Sequence, residues 1–313
     1  MVVLAVAVSP VWAQTRVSRI GLLGPDEEPR FSDVTKGLKH GLREHGYSDS
    51  RIEVVEIRVS RGEEKAARGR IAKLSEERLA VLFVIGSNLA RLARDSSAAL
   101  PIVFVTPGDP VAAGLVASFA RPGRNMTALT FEHPELSAKR LELLRDLGPN
   151  VRRVLVLYDP RDASPRQGVD AARAAARGLG LTLTEVPVRN RQDIDDGLQK
   201  LDEVDALLVV PGGITSAHYE AMIRAANAKL RATILFTHSP STRDALLSYG
   251  ASDVEVAQQA ARVLAKILQG ANAGEIPVER PTKVTLVVNL KTAKALNIAI
   301  PPALLLRADH VTQ

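Results

Sequence analysis

Two short polar turns carry the residue types that could do chemistry: Gly86-Ser87-Asn88 and Thr106-Pro107-Gly108-Asp109-Pro110. Each follows an apolar run, Val81–Ile85 and Ile102–Val105, bounded by Gly or Pro in the manner of a buried parallel strand. Each turn is expected to open a helix. A helix start leaves backbone N–H groups unpaired and carries a partial positive charge, so the pair would present two anion-friendly corners side by side. Ser87 and Asn88 can act as helix caps or as ligand contacts, and so can Asp109. Similar turns follow later strands: Tyr158-Asp159, Pro211-Gly212-Gly213 and Thr237-His238. With the loop after the first strand, they give a candidate binding set of Pro25, Phe31, Gly86, Ser87, Asn88, Thr106, Asp109, Tyr158, Asp159, Pro211, Gly212, Gly213 and His238. The short hydroxyl and amide side chains suit a small polar ligand. The glycines allow close backbone approach, and Phe31 and Tyr158 offer rings to a flat part of it.

Catalytic motifs are missing from the sequence. It contains no G-x-x-x-x-G-K-[ST], G-x-S-x-G or H-E-x-x-H run, and Gly21-Leu22-Leu23-Gly24 does not complete a dinucleotide fingerprint. The six histidines, His40, His45, His133, His218, His238 and His310, do not pair at ligand spacing. There are no cysteines, which excludes disulfides, thiol catalysis and thiolate metal sites. Asp26-Glu27-Glu28 and Asp195-Asp196 read as solvated. The expectation is a binding protein, not an enzyme, with no cofactor and no metal.

The elements that must position these turns alternate strand and helix. Arg19–Gly24 and Ile52–Val59 read as strands, with a helix carrying Val34, Leu38 and Leu42 on one stripe between them. The second half repeats the plan, with strands at Val154–Tyr158, Leu181–Val186, Ala206–Val210 and Thr233–Phe236, and an Ala-rich helix from about Gln167. This gives an α/β chain of two doubly wound parallel-sheet domains. Single elements remain after the second half. They are extended runs at Leu246–Gly250 and Pro281–Asn289, a helix at Asp253–Gln269 opened by a Ser252-x-x-Glu255 capping box, and a short helix at Leu290–Leu296. They are placed most economically by three crossovers, with residues 16–126 and 250–280 in domain one and 127–249 and 281–313 in domain two. A multi-strand crossing makes a hinge with a cleft between the domains, and closure around a ligand is the expected motion.

The length of 313 residues suits two domains. A formal net charge of +6 comes from 41 basic and 35 acidic residues that interleave without a long basic run, so nucleic acid is not an expected partner. Residues 1–13, MVVLAVAVSPVWA, read as the remnant of a secretory signal peptide ending in Val11-Trp12-Ala13. With no cysteine at that point for a lipid anchor, a soluble, periplasmic monomer is expected.

Several motifs give the chain a family resemblance. They are Gly108-Asp109-Pro110-Val111 with Gly114-Leu115-Val116-Ala117-Ser118, Ala120-Arg121-Pro122-Gly123, Ser137 to Leu144 (SAKRLELL), and Ser248-Tyr249-Gly250. In the tail they are Pro281-Thr282-Lys283, Asn289 to Leu296 (NLKTAKAL), and Ile300-Pro301-Pro302 to Arg307-Ala308-Asp309. In these the chain resembles the tryptophan-type substrate-binding proteins of ABC transporters, over nearly all of Arg19 to Val311. The resemblance implies a type I periplasmic-binding-protein fold and delivery of a small organic solute (an amino acid, aromatic acid or other carboxylate) to a permease in the inner membrane. The chain departs from the family pattern at Arg124 and Ala128, where glycines are usual, and at Gly212-Gly213 and His238-Ser239-Pro240. Two rivals share the fold class. An enzyme would show a nucleophile–base or cofactor motif. The sensor half of a regulator would carry a helix-turn-helix, for which residues 1–18 are too short.

Overall fold

The computed structural model describes residues 17–26, 31–60, 62–97, 99–132, 134–239 and 242–313. The signal-peptide segment and the Glu27-Glu28 pair lie outside the described residues. Domain one runs β1 (Ser18–Pro25), α1 (Phe31–Glu44), β2 (Ile52–Val59), α2 (Glu64–Glu76), β3 (Val81–Ile85), α3 (Ser87–Ser96), β4 (Ile102–Pro107) and β5 (Met126–Glu132). Domain two follows with α4 (Pro134–Arg145), β6 (Arg153–Tyr158), α5 (Ala163–Leu179), β7 (Thr182–Pro187), α6 (Arg191–Leu198), β8 (Ala206–Val209), α7 (Gly213–Ala228), β9 (Ala232–His238) and β10 (Leu247–Ser252). The chain then gives α8 (Asp253–Leu268), β11 (Thr285–Asn289), α9 (Leu290–Ala295), α10 (Pro302–Leu305) and β12 (His310–Thr312).

Domain one holds a five-stranded parallel sheet in the order β2-β1-β3-β4-β5, and domain two a seven-stranded sheet in the order β12-β11-β10-β9-β8-β6-β7. Only the β10–β11 pairing is antiparallel. The unbroken apolar runs follow from this layering. Val81, Phe83 and Ile85 of β3 enter one core while Leu82 and Val84 enter another on the opposite face. In β6, Leu155 and Leu157 likewise part from Val154 and Val156. A strand covered on both faces needs an apolar residue at every position. Each such Leu or Ile, fully buried, contributes about 1.5–3 kcal/mol.

Strand order reverses between β1 and β3 in domain one and between β6 and β8 in domain two. In open α/β sheets the crevice at such a reversal, outside the carboxyl ends of the strands, is where ligands bind. The reversals fall at Pro25 and Gly86 in one domain and at Tyr158 and Pro211 in the other.

The structure changes four sequence expectations. Residues 126–132 belong to domain one, because β5 pairs along β4, so the expected boundary at 126/127 falls one strand too early. The other expected boundary, 249/250, cuts through β10, which lies wholly in the second sheet. No helix opens at Pro110: residues 109–120 form turns, with Gly108 and Gly114 at positive φ. Ser252 caps α8 by position but its hydroxyl makes no capping bond, so the expected capping box is not formed.

The chain crosses between domains after β5, at Ser252–Asp253, and between Glu279 and Thr285. α8 returns to α1, where Gly37 and Gly41 let the two backbones approach; a Cβ on Gly41 would lie 2.7 Å from Ala261 Cβ. After α8, Glu279 runs beside β5, its carbonyl accepting from Thr130 N–H at 2.9 Å. β10 is irregular near the second crossing. Its register against β9 shifts between Ser248 and Ala251, and any Cβ on Gly250 would overlap the Phe236 carbonyl oxygen. The carbonyls at this break are met by Arg140 of α4, which is fully buried. Its Nε donates to Tyr249 O at 2.8 Å and its Nη2 to Phe236 O at 3.5 Å. A buried cation supplying donors where a strand bulges keeps backbone acceptors from going unpaired.

Candidate functional site

The domain-one rim is built on the tips of β3 and β4. Gly86, with φ of 95°, is the N-cap of α3, and no side chain caps the first turn of that helix. Ser87 and Asn88 are therefore first-turn residues, not the caps they could have been. Ser87 is buried, and its hydroxyl is hydrogen-bonded to the Thr106 hydroxyl, which donates to Pro107 O at 3.1 Å. Asn88 is exposed. With its proton on Pro107 O, Thr106 accepts from Ser87, so both hydroxyl protons are used; what this corner offers an anion is the first-turn N–H groups of α3 and the helix dipole. The second corner expected at Thr106–Pro110 is absent, because no helix starts there. Asp109 instead closes its own turn, its Oδ1 accepting from Val111 N–H at 2.7 Å and Ala112 N–H at 3.2 Å.

Pro25 is half-buried at the tip of β1. Phe31, expected as an open ring, is 1% exposed. Its ring abuts the Gly24 backbone, and the Arg58 guanidinium lies over it at 4.1 Å from the centroid. It forms a wall, not a free stacking surface.

The domain-two rim uses its polar groups internally. The Asp159 carboxylate is held by Arg161 through two bonds, Nε to Oδ1 at 2.9 Å and Nη2 to Oδ2 at 2.7 Å. Tyr158 is half-buried against the second core. Pro211 and Gly212 are buried, and a Cβ on Gly212 would lie 2.7 Å from Pro165 Cγ. Thr215, in the first turn of α7, donates to Val210 O at 2.7 Å. Gly213 alone in this group is exposed.

The two rims touch. Ser164 Oγ, in the first turn of α5, donates to the Pro107 carbonyl of domain one, and Gly108, with φ of 85°, packs against the same serine. Asp162 caps α5, accepting from Ser164 N–H at 3.1 Å. Burial pushes its carboxyl up from the usual carboxylate value, partly opposed by that backbone bond. Sequence reading missed Asp162 and Ser164 by starting this helix near Gln167. Pro165 lies inside the first turn, where proline is tolerated. The signal was Asp162-x-Ser164 directly after a strand.

His238 separates from the rest. It ends β9 but lines a different cavity, which includes none of the other candidate residues. Among the described residues, no group of three or more His, Cys, Asp or Glu side chains could hold a metal ion. No helix among them is long and apolar enough to cross a membrane.

Known proteins are similar to this chain along most of its length. A family model described as ABC transporter substrate binding protein matches residues 19–312. A tyrosine-binding protein of Clostridioides difficile is 22% identical over 280 residues, covering 89% of this chain and 81% of that protein. Among solved structures, a conserved domain protein from Vibrio cholerae is 26% identical with a TM-score of 0.84, covering 95% of this chain and 100% of the other. An ABC domain in complex with L-Trp from Streptococcus pneumonia is 22% identical with a TM-score of 0.83, over 94% and 99% of the two chains. The fold is that of the type I periplasmic binding proteins.

Proposed function

The chain belongs to the family of ABC transporter substrate binding proteins, and from that premise we propose that it is an exported receptor for a free α-amino acid, captured in the cleft between its domains. The first-turn N–H groups of α3 at Ser87 and Asn88, with the Asn88 side chain, receive the ligand's carboxylate over the Ser87–Thr106 pair. The rim at Tyr158, Ser164 and Gly213 closes from the other side. Closure of the hinge commits the ligand, and the closed form docks on a permease in the inner membrane. The receptor works in the periplasm, without enzymatic turnover.

The uncapped start of α3, facing a rim from the other domain, is the observation that carries this reading. The ligands named for two similar proteins, tyrosine and L-Trp, support the amino-acid class. The test is a thermal-shift screen of the common amino acids on purified protein, followed by calorimetry. A saturating ligand raises the melting point by mass action. The expected hit is an α-amino acid whose decarboxylated amine, such as tyramine or tryptamine, binds at least tenfold more weakly. Equal stabilisation by the amine would remove the carboxylate corner from the account. Loss of binding is expected in the Ser87→Ala/Asn88→Ala double variant.

A further inference from the structure

Domain two, with Val254 of α8, lines a cavity of about 760 Å³ along β9–β12. That volume lies within the range of small-molecule sites. Thr242 and Asn289 of its lining are hydrogen-bonded to backbone, but other polar groups are not. His238 Nδ1 is buried with no hydrogen-bond partner among the described residues. Ser248 and Ser252 are 5% and 8% exposed, and neither hydroxyl makes a protein hydrogen bond among the described residues. A buried polar atom without a partner is uncommon in a folded protein and calls for an occupant to explain it.

Charge is arranged around that polar floor. Arg243 and Lys291 line the cavity as exposed side chains, and among the described residues neither forms a salt bridge. The His310 ring stands 6.3 Å from that of His238, centroid to centroid. Asp244 is the one acidic side chain in the lining. A smaller cavity of about 320 Å³ shares Asp244 and Lys291 with the first and leaves Asn227 Oδ1 buried without a partner. An unpartnered acceptor therefore occurs in each cavity, and Lys291 lines both.

We infer that this cavity is a second ligand site, separate from the interdomain cleft, for a small hydroxylated carboxylate. Arg243 and Lys291 take the carboxylate. Ser248, Ser252 and His238 Nδ1 take the hydroxyls, which can donate to a nitrogen or accept from a serine. The floor runs along β10 to its end at Ser252, and Val254 at the start of α8 completes it; none of the α3, α5 or α7 rim residues lines it.

The experiment uses the purified mature protein, with D-gluconate as the probe and D-sorbitol as its uncharged counterpart, in calorimetry and histidine imidazole NMR. Gluconate is expected to bind saturably and to shift the His238 and His310 resonances with one common Kd. Sorbitol should bind at least tenfold more weakly. The Arg243→Gln/Lys291→Gln variant, altered only at exposed side chains, should lose at least tenfold in gluconate affinity. The Ser87→Ala/Asn88→Ala variant should keep it, which separates this site from the cleft and from the amino-acid reading. The proposal is overturned if gluconate does not saturate, if only bound water accounts for the cavity, or if binding follows the Ser87/Asn88 pair instead of the Arg243/Lys291 pair.

Discussion

The rims of the two domains share one βα plan and end differently. In domain one, α3 starts on Gly86 without a side-chain cap, and the Ser87 and Thr106 hydroxyls are linked to each other beside it. In domain two, α5 starts on a capped turn with Asp162, and Asp159 is bound by Arg161. Domain one leaves the start of α3 open; domain two has capped α5, while its α7 also starts without a side-chain cap, but on a buried Gly212 packed against Pro165. The lesson is that a strand tip becomes an anion corner only when the neighbouring side chains leave the helix N–H groups unclaimed. The deciding contrast is therefore α3 against α7: with Gly212 covered by Pro165, a carboxylate should bind at α3 and domain two should supply wall and contact.

The strongest way to break this comparison is to remove the frame that holds both rims. Arg140→Leu leaves the carbonyls of Tyr249 and Phe236 short of donors beside the hinge. It should cost roughly 3 kcal/mol in denaturant unfolding, and an unchanged midpoint would remove Arg140 from its structural role. Next comes an acidic residue on each rim. Asn88→Asp places a negative charge in the first turn of α3. It should leave or slightly raise the melting temperature but weaken a carboxylate ligand by roughly 30-fold, about 2 kcal/mol. Gly213→Asp does the same to α7, and calorimetry should show less than about threefold loss. Equal losses would erase the asymmetry between rims.

Gly108→Ala tests the contact between the rims. A methyl there overlaps Ser164 and sits at a φ of 85° that L-residues avoid. Ligand affinity should fall roughly tenfold, about 1.4 kcal/mol, and Gly108→Ala combined with Ser164→Gly should recover part of it. The smallest effect concerns the buried cap. Asp162 binds its proton more tightly folded than unfolded, so wild-type stability is fullest below the unfolded value of 3.8 and declines as pH rises through the folded value. Asp162→Asn keeps the capping oxygen without the buried charge. It should melt a few degrees higher than wild type at pH 7, with the gap closing toward pH 3.5. A gap that widens in acid would reverse the assignment.

The fold was readable to the extent that it is written in local pattern. Apolar runs such as Val81–Ile85 and Ala206–Val209 can only be strands covered on both faces, and counting leftover elements was enough to demand three crossings. The family follows from motifs along the chain. The candidate site was half readable. Gly86, Ser87 and Thr106 lie where strand tips had to put them, because a helix start after a buried strand is a local event.

What the sequence left open depended on distant groups. Whether Asp109 and Asp159 face a ligand or are bound by neighbours turns on hydrogen bonds that identity alone does not fix. The helix expected at Pro110 failed because the tertiary path from β4 to β5 is spanned by turns with Gly108 and Gly114 at positive φ. His238 sits at a strand tip like the others, yet the packing of β10 to β12 beside β9 turns its site into a separate cavity. The contact of Ser164 with Pro107, and the buried Arg140 beside the second crossing, join residues far apart in the chain. Burial and pairing are properties of the assembled molecule, so only the folded chain fixes which polar groups find a protein partner and which do not.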